Sequence, residues 1–246
     1  MSNEANITID DARALVADEV LWPRMRDFLW DFAPQVHASW LEGLGPETID
    51  VGREGESATS NASRLMSSPR VKRFVLSSLG VKPCFHDFPK GDWSRLLLLD
   101  GPTLEAIAKW LGAIASVDAL RRVTDGATVR AMKASLHGIY PEVFNYAMYF
   151  NGSGLQRRDA ETQRDGGQVV GRPPSVVEDV VSTGVSILVS LLAPLPEALS
   201  SRLKFKLPKG WWSAGCETLD MGRERLGAAL AKLLKLKFPE AYKLCC

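Results

Sequence analysis

Three histidines and four cysteines are the side chains of this 246-residue chain with the clearest capacity for chemistry. Cys84, His86 and Asp87 lie within four residues and offer donors suited to zinc, with Cys216 as a distant fourth ligand. A zinc site read from sequence carries a second short-spaced cluster, and none is present. His37, His86 and His137 stand at no ligand spacing from one another. Cys84 with His137 as base could be written as a nucleophile pair, but any chain with thiols and imidazoles allows such a pairing, and only geometry supports it. The paired carboxylates Asp10-Asp11 and Glu178-Asp179 fall at expected helix starts, where the helix dipole favours negative charge. Capping explains them better than acid–base work. No glycine-rich phosphate cradle occurs. These residues predict no catalytic site, no metal, no cofactor and no small-molecule substrate.

Binding has stronger candidates. Trp211 and Trp212 close the basic run RLKFKLPKGWW, and adjacent aromatics beside cations can dock on a partner, although packing into the core is the alternative. Lys232, Lys235 and Lys237 are expected on the outer side of the last helix. These five residues form the candidate protein interface. The formal charge of +1 argues against a protein guided to nucleic acid by its overall field. That balance hides an asymmetry, because residues 1–60 sum to −8 and residues 202–246 to +6. The two ends either face each other or face differently charged partners.

Positioning those side chains falls to helices. After Pro102, which suits a first turn, Leu104, Ile107, Leu111, Ile114, Val117 and Leu120 follow at steps of three and four. Glu105, Lys109, Asp118 and Arg122 lie opposite, so the pattern predicts a helix packed on one side and wet on the other. Thr124, Asp125 and Gly126 offer a break with a new N-cap for a second helix with Val129, Met132 and Leu136 inward, and a third begins at Tyr140. Residues 10–44 read as two or three helices divided by Pro23 and Pro34. Another helix opens at Pro69. Ser175 and Glu178 form a capping box ahead of a helix rich in valine and leucine, and the last helix runs from about Ser213 to Lys237. Two polar, glycine-rich segments, about 42–63 and 151–175, read as mobile connectors. The whole is predicted to be one all-α domain of roughly eight to ten helices.

The most membrane-like run, Val176–Leu195, has roughly 14 uncharged residues where a span needs about 20, which predicts a buried helix. The N-terminus lacks the basic and apolar regions of a signal peptide, and a cytosolic address is expected. Cys84, Cys216, Cys245 and Cys246 form no disulfide framework and read as reduced thiols, the last two at a frayed end. The terminal pair also has the form of a double-prenylation ending, without the phosphate-binding motifs of the small GTPases that carry one.

The runs LLLLDGPTLEAIA, AKWLGAIASVDALRRVTDGATVRAMKASL and YPEVFNYAMYF, residues 96–150 with a short gap, resemble the central region of the YscK/SctK family of type III secretion accessory proteins. Fainter echoes occur in ASWLEGL and RLKFKLPKGWW. The resemblance implies a non-enzymatic adaptor at the cytoplasmic face of the bacterial inner membrane. It would link the inner-ring protein SctD to SctQ of the sorting platform through protein contacts. A secreted effector or a chaperone-like helical binding protein of the same system is the alternative.

Overall fold

The computed structural model describes residues 18–42, 68–150, 173–212 and 222–246. These residues form α-helices and 3₁₀ turns, and no strand occurs among them. The expected all-α class is what the structure shows. The expected connectors fall almost wholly outside the described residues. The exceptions are Glu42, in a turn, and the stretch 173–175, which is helical.

Two helices organise the core. Helix α4, Gly101–Ala115, starts where Asp100 accepts the Thr103 amide at 2.7 Å, with Pro102 in the first turn where no donor is needed. Helix α8, Pro173–Leu192, crosses it. Its prolines place the start two residues ahead of Ser175, so the expected Ser175 capping box is not the N-terminus. The crossing is very close. A Cβ on Gly112 would stand 1.8 Å from the Val180 carbonyl oxygen, and one on Gly184 would stand 1.9 Å from that of Ala108. Only hydrogen fits at either position. This contact corrects the one-sided reading of α4, because Trp110, Gly112, Ala113 and Ala115 are buried together with the predicted apolar positions. Small side chains on the second face admit a neighbouring backbone rather than water.

Ahead of this pair lie α1, Leu21–Trp30, a 3₁₀ turn at Ala33–Gln35, α2, Ala38–Leu41, and α3, Pro69–Ser78. Pro23 sits in the first turn of α1 and does not divide it. After α4 come α5, Val117–Arg122, α6, Gly126–Leu136, and α7, Ile139–Ala147. Within the expected break at 124–126, Asp125 is the residue that caps α6. Its carboxylate accepts the Thr128 hydroxyl and amide at 2.7 Å each, and these bonds hold its pKa below the usual carboxylate value.

The C-terminal part comprises α9, Glu197–Lys206, a 3₁₀ turn at Lys209–Trp212, α10, Arg223–Lys237, and α11, Pro239–Cys245. The expected start near Ser213 lies outside the described residues, but α10 itself begins only at Arg223, after Gly222 with ψ 123°. Helix α11 corrects the frayed-end reading. Pro239 opens it rather than ending its predecessor, Ala241, Leu244 and Cys245 are buried, and Arg95 donates to the Leu244 carbonyl at 3.1 Å. Burial pushes the Cys245 thiol up to about 12, and lipid attachment at this sulfur would require α11 to come off the core. Among the described residues no helix is long and apolar enough to cross a membrane.

Candidate interaction surface, buried cations and a cleft

The structure divides the five predicted interface residues. Trp211 and Trp212 are both half-buried and pack against the core, and the Lys109 ammonium lies 5.5 Å from the Trp211 ring centre. Lys237 is drawn inward: its side chain is 19% exposed, it pairs with Glu142, and its ammonium stands 4.8 Å from the Trp110 ring and 4.1 Å from that of Tyr146. Burial alone would lower its pKa, but hydrogen bonds and charge from Glu142 and Tyr146 together raise it. Lys109 and Trp110 are successive residues of α4 and project about 100° apart around its axis. The tryptophan pair and Lys237 thus attach to different faces of that helix.

Lys232 and Lys235 remain outside. Lys232 donates to the Tyr149 carbonyl and lies 5.9 Å from the Tyr149 ring centre. One helical turn later Leu236 is 45% exposed, and on the segment that Lys232 touches Met148 and Tyr149 are 63% and 54% exposed. Lys232 thus joins the outer side of α10 to the 3₁₀ turn after α7, Met148–Phe150, and basic and apolar side chains are exposed on the two elements it joins. Sequence reasoning found the lysines of this surface and missed Met148, Tyr149 and Leu236. The signal for Leu236 was its place between Lys235 and Lys237, off the apolar stripe of its own helix.

The run RLKFKLPKG does not form a basic surface throughout. Leu199, Arg202, Leu203 and Lys206 share the buried face of α9, where Arg202 is 2% and Lys206 1% exposed. Arg202 donates from Nη1 to the Phe28 carbonyl and to that of Leu29 at 3.3 Å, and from Nη2 to that of Lys82 at 3.1 Å. Phe28 and Leu29 belong to the last turn of α1, whose carbonyls have no partner within the helix. Arg202 is therefore a cap supplied from another helix, its positive charge set against the negative end of the α1 dipole. Phe28 and Phe32 flank the guanidinium at 5.2 and 5.1 Å. Desolvation lowers its pKa, which still leaves arginine charged.

Lys206 performs the same service elsewhere. Its Nζ donates to the carbonyls of Leu97 and Leu99 at 2.6 and 2.7 Å, at the end of the 3₁₀ turn Trp93–Leu98. Burial lowers its pKa to about 7, with Asp100 opposing and Arg202 and Arg24 adding to the shift. The other two cations of the run, Lys204 and Lys209, point out and flank Trp40 at 5.2 and 5.8 Å. Trp40 itself donates to the Leu207 carbonyl at 2.9 Å.

Next to Lys206 lies a cleft of about 680 Å³, bordered by α1 at Arg24 and Asp27, the stretch Pro34–Ala38, and the stretch Leu98–Glu105. His37 Nε2 is 3.6 Å from Glu105 Oε1 across it. His37 Nδ1 accepts the Ser39 amide at 3.2 Å, which places the ring proton on Nε2, toward Glu105.

The zinc candidates do not assemble. His86 Nδ1 is 4.0 Å from Asp87, Cys84 is half-buried with its thiol pKa raised by burial, and Cys216 lies outside the described residues. Among the described residues no three His, Cys, Asp or Glu side chains are grouped to hold a metal ion. Their loop is instead held by packing. Phe88 is fully buried at φ 50°, its ring edge-on to Phe28 and His86, and its carbonyl accepts Arg95 Nε at 2.8 Å. His137 is exposed at the end of α6, also with positive φ, and no bond joins it to Cys84. No protein-family model matches the chain, and no curated protein or solved structure is similar enough to count as a match.

Proposed function

We propose that this protein is a non-enzymatic structural adaptor whose partner-binding surface is the patch formed by Met148, Tyr149, Lys232, Lys235 and Leu236. The single observation that supports this reading is that patch. Tyr149 and its chain neighbour Met148 are exposed beside the contact between Lys232 and the Tyr149 carbonyl, and Leu236, one helical turn after Lys232, is exposed as well; exposed apolar groups beside basic ones mark interaction sites. A stiff core beneath it suits the task, because the α4–α8 crossing leaves no slack at Gly112 and Gly184. The finer reading, a type III secretion adaptor that joins SctD at the inner membrane to SctQ of the sorting platform, rests on the sequence resemblance over residues 96–150.

Affinity purification of the tagged protein from cells expressing its genomic neighbours tests both levels. Joint recovery of SctQ-like and SctD-like proteins supports the finer reading, and their joint absence rejects it. Lys235→Glu with Leu236→Ser tests the patch: loss of one partner with retention of the other supports it, and unchanged recovery of both removes it from the proposal.

A further inference from the structure

The cleft beside Lys206 has two chemically different ends. Lys206 lies at one end, with two of its three N–H bonds directed at the Leu97 and Leu99 carbonyls. Arg24 borders the same end, close enough for its charge to act on Lys206, and makes no ion pair or hydrogen bond among the described residues. Asp100 is also near, but one of its oxygens is engaged by the Thr103 amide. Glu105 stands five residues farther along α4, a rise of about 7.5 Å, with His37 Nε2 3.6 Å from its carboxylate. Asp27, on the rim, is occupied by Arg26 at 2.8 Å.

The described core adds a second observation. Its buried polar side chains include two cations, Arg202 and Lys206, and no carboxylate. Carbonyl dipoles solvate these cations but do not neutralise them, and Lys206 has only the partly engaged Asp100 as a counter-charge nearby. The free guanidinium of Arg24 adds to the positive potential at that end of the cleft. An anionic group entering there would meet an existing field, whereas the carboxylate of Glu105 repels a second negative charge at the other end.

We propose that the cleft binds a small zwitterion, a free amino acid or a short peptide, with its carboxylate at the Arg24–Lys206 end and its ammonium at Glu105. The inference is independent of the adaptor reading. Binding is coupled to protonation. Near neutrality the Lys206 amine is only partly charged, and a carboxylate beside it favours the ammonium form. The charged groups that face this amine are Asp100, which supports the charge, and Arg202 and Arg24, which oppose it. Affinity therefore falls as pH rises above neutral.

The test is calorimetric titration of the full chain with a panel of free proteinogenic L-amino acids and of dipeptides, each beside its N-acetylated and its carboxamide form. A saturable ligand is expected that loses affinity about tenfold or more on either modification, and similarly in Arg24→Gln and in Glu105→Gln. Those two side chains lie on the cleft rim, and circular dichroism verifies that the variants fold. Proton uptake shows as heat that varies with buffer ionisation enthalpy. Response from the amino acids alone identifies a free amino acid as ligand, and response from the dipeptides alone identifies a peptide. Absence of saturable heat across the panel overturns the proposal, as does a ligand whose acetylated or amidated form binds equally well.

Discussion

Helices α9 and α10 both read as apolar stripes interrupted by cations, yet they use those cations in opposite ways. In α9, Arg202 and Lys206 occupy the stripe itself, at steps of three and four from Leu199 and Leu203, and both are buried. In α10 the stripe is Leu226, Leu230, Leu233 and Leu234, and Lys232 and Lys235 fall off it into solvent. Position relative to the stripe, rather than cation density, decides whether a basic helix fastens the core or faces solvent. A buried cation has value only where carbonyls without partners await it. The last turn of α1 and the end of the Trp93–Leu98 turn provide them.

The largest effect is expected on the buried side. Arg202→Ala leaves the carbonyls of Phe28, Leu29 and Lys82 without their donor and removes the group flanked by Phe28 and Phe32. A loss of about 3–5 kcal/mol in urea unfolding follows. A loss below about 1 kcal/mol would mean that water replaces the guanidinium, and the inner cap would not be a fastening.

Lys206 sharpens the comparison through pH. Its folded-state pKa, about 7, lies below the ordinary lysine value, so between roughly pH 7 and 10.5 the unfolded chain binds more protons than the folded one. Stability tied to this group accordingly rises with pH across that window, by at most about 1.4 kcal/mol per unit. Below neutral pH both states are charged and the burial cost stands in full. Lys206→Met abolishes the slope, so the stability difference between wild type and variant should shift in favour of wild type as pH rises from 7 toward 10. A parallel pair of pH profiles would show that Lys206 is no more buried, in the electrostatic sense, than Lys232.

Much of this architecture was legible in the sequence. The apolar spacing of residues 104–120 continues through α4 and α5, although the single helix it predicts breaks at Ser116; the break at 124–126 and the leucine stripe of α10 each correspond to a described feature, because local periodicity and capping are decided by near neighbours. What escaped depended on contacts distant in sequence. Gly112 and Gly184 are unremarkable until two helices separated by some sixty residues are known to cross there. The Arg202 cap joins groups about 170 residues apart, and the cleft draws its border from α1, α4 and α9. The buried spacing at 199, 202, 203 and 206 was present in the sequence. Assigning every cation to the surface concealed it.

Lys237 falls between the two classes. Its ammonium, set over Trp110 and Tyr146, makes Lys237→Ala cost about 1–2 kcal/mol, whereas Glu142→Gln costs less than about 0.5 kcal/mol because that carboxylate is 48% exposed. Chemical denaturation of the two variants separates the contributions. Equal losses would mean that the ion pair, rather than the aromatic seat, retains Lys237.

The smallest change in stability is expected at a residue of the proposed partner surface. Lys235 is exposed, makes no ion pair among the described residues, and stands one position before the 45%-exposed Leu236. Lys235→Glu should leave unfolding within about 0.5 kcal/mol of wild type, since surface substitutions away from caps and networks seldom exceed that. Its effect belongs in binding, where a reversed rim charge changes the association rate and its salt dependence more than the dissociation rate. Biosensor kinetics with the partner recovered by affinity purification, at low and high salt, test this. A slowed association that converges with wild type at high salt assigns Lys235 to electrostatic guidance beside an apolar anchor. A change confined to dissociation would move it into the contact itself and erase the distinction between a rim lysine and one seated, like Lys237, on an aromatic face.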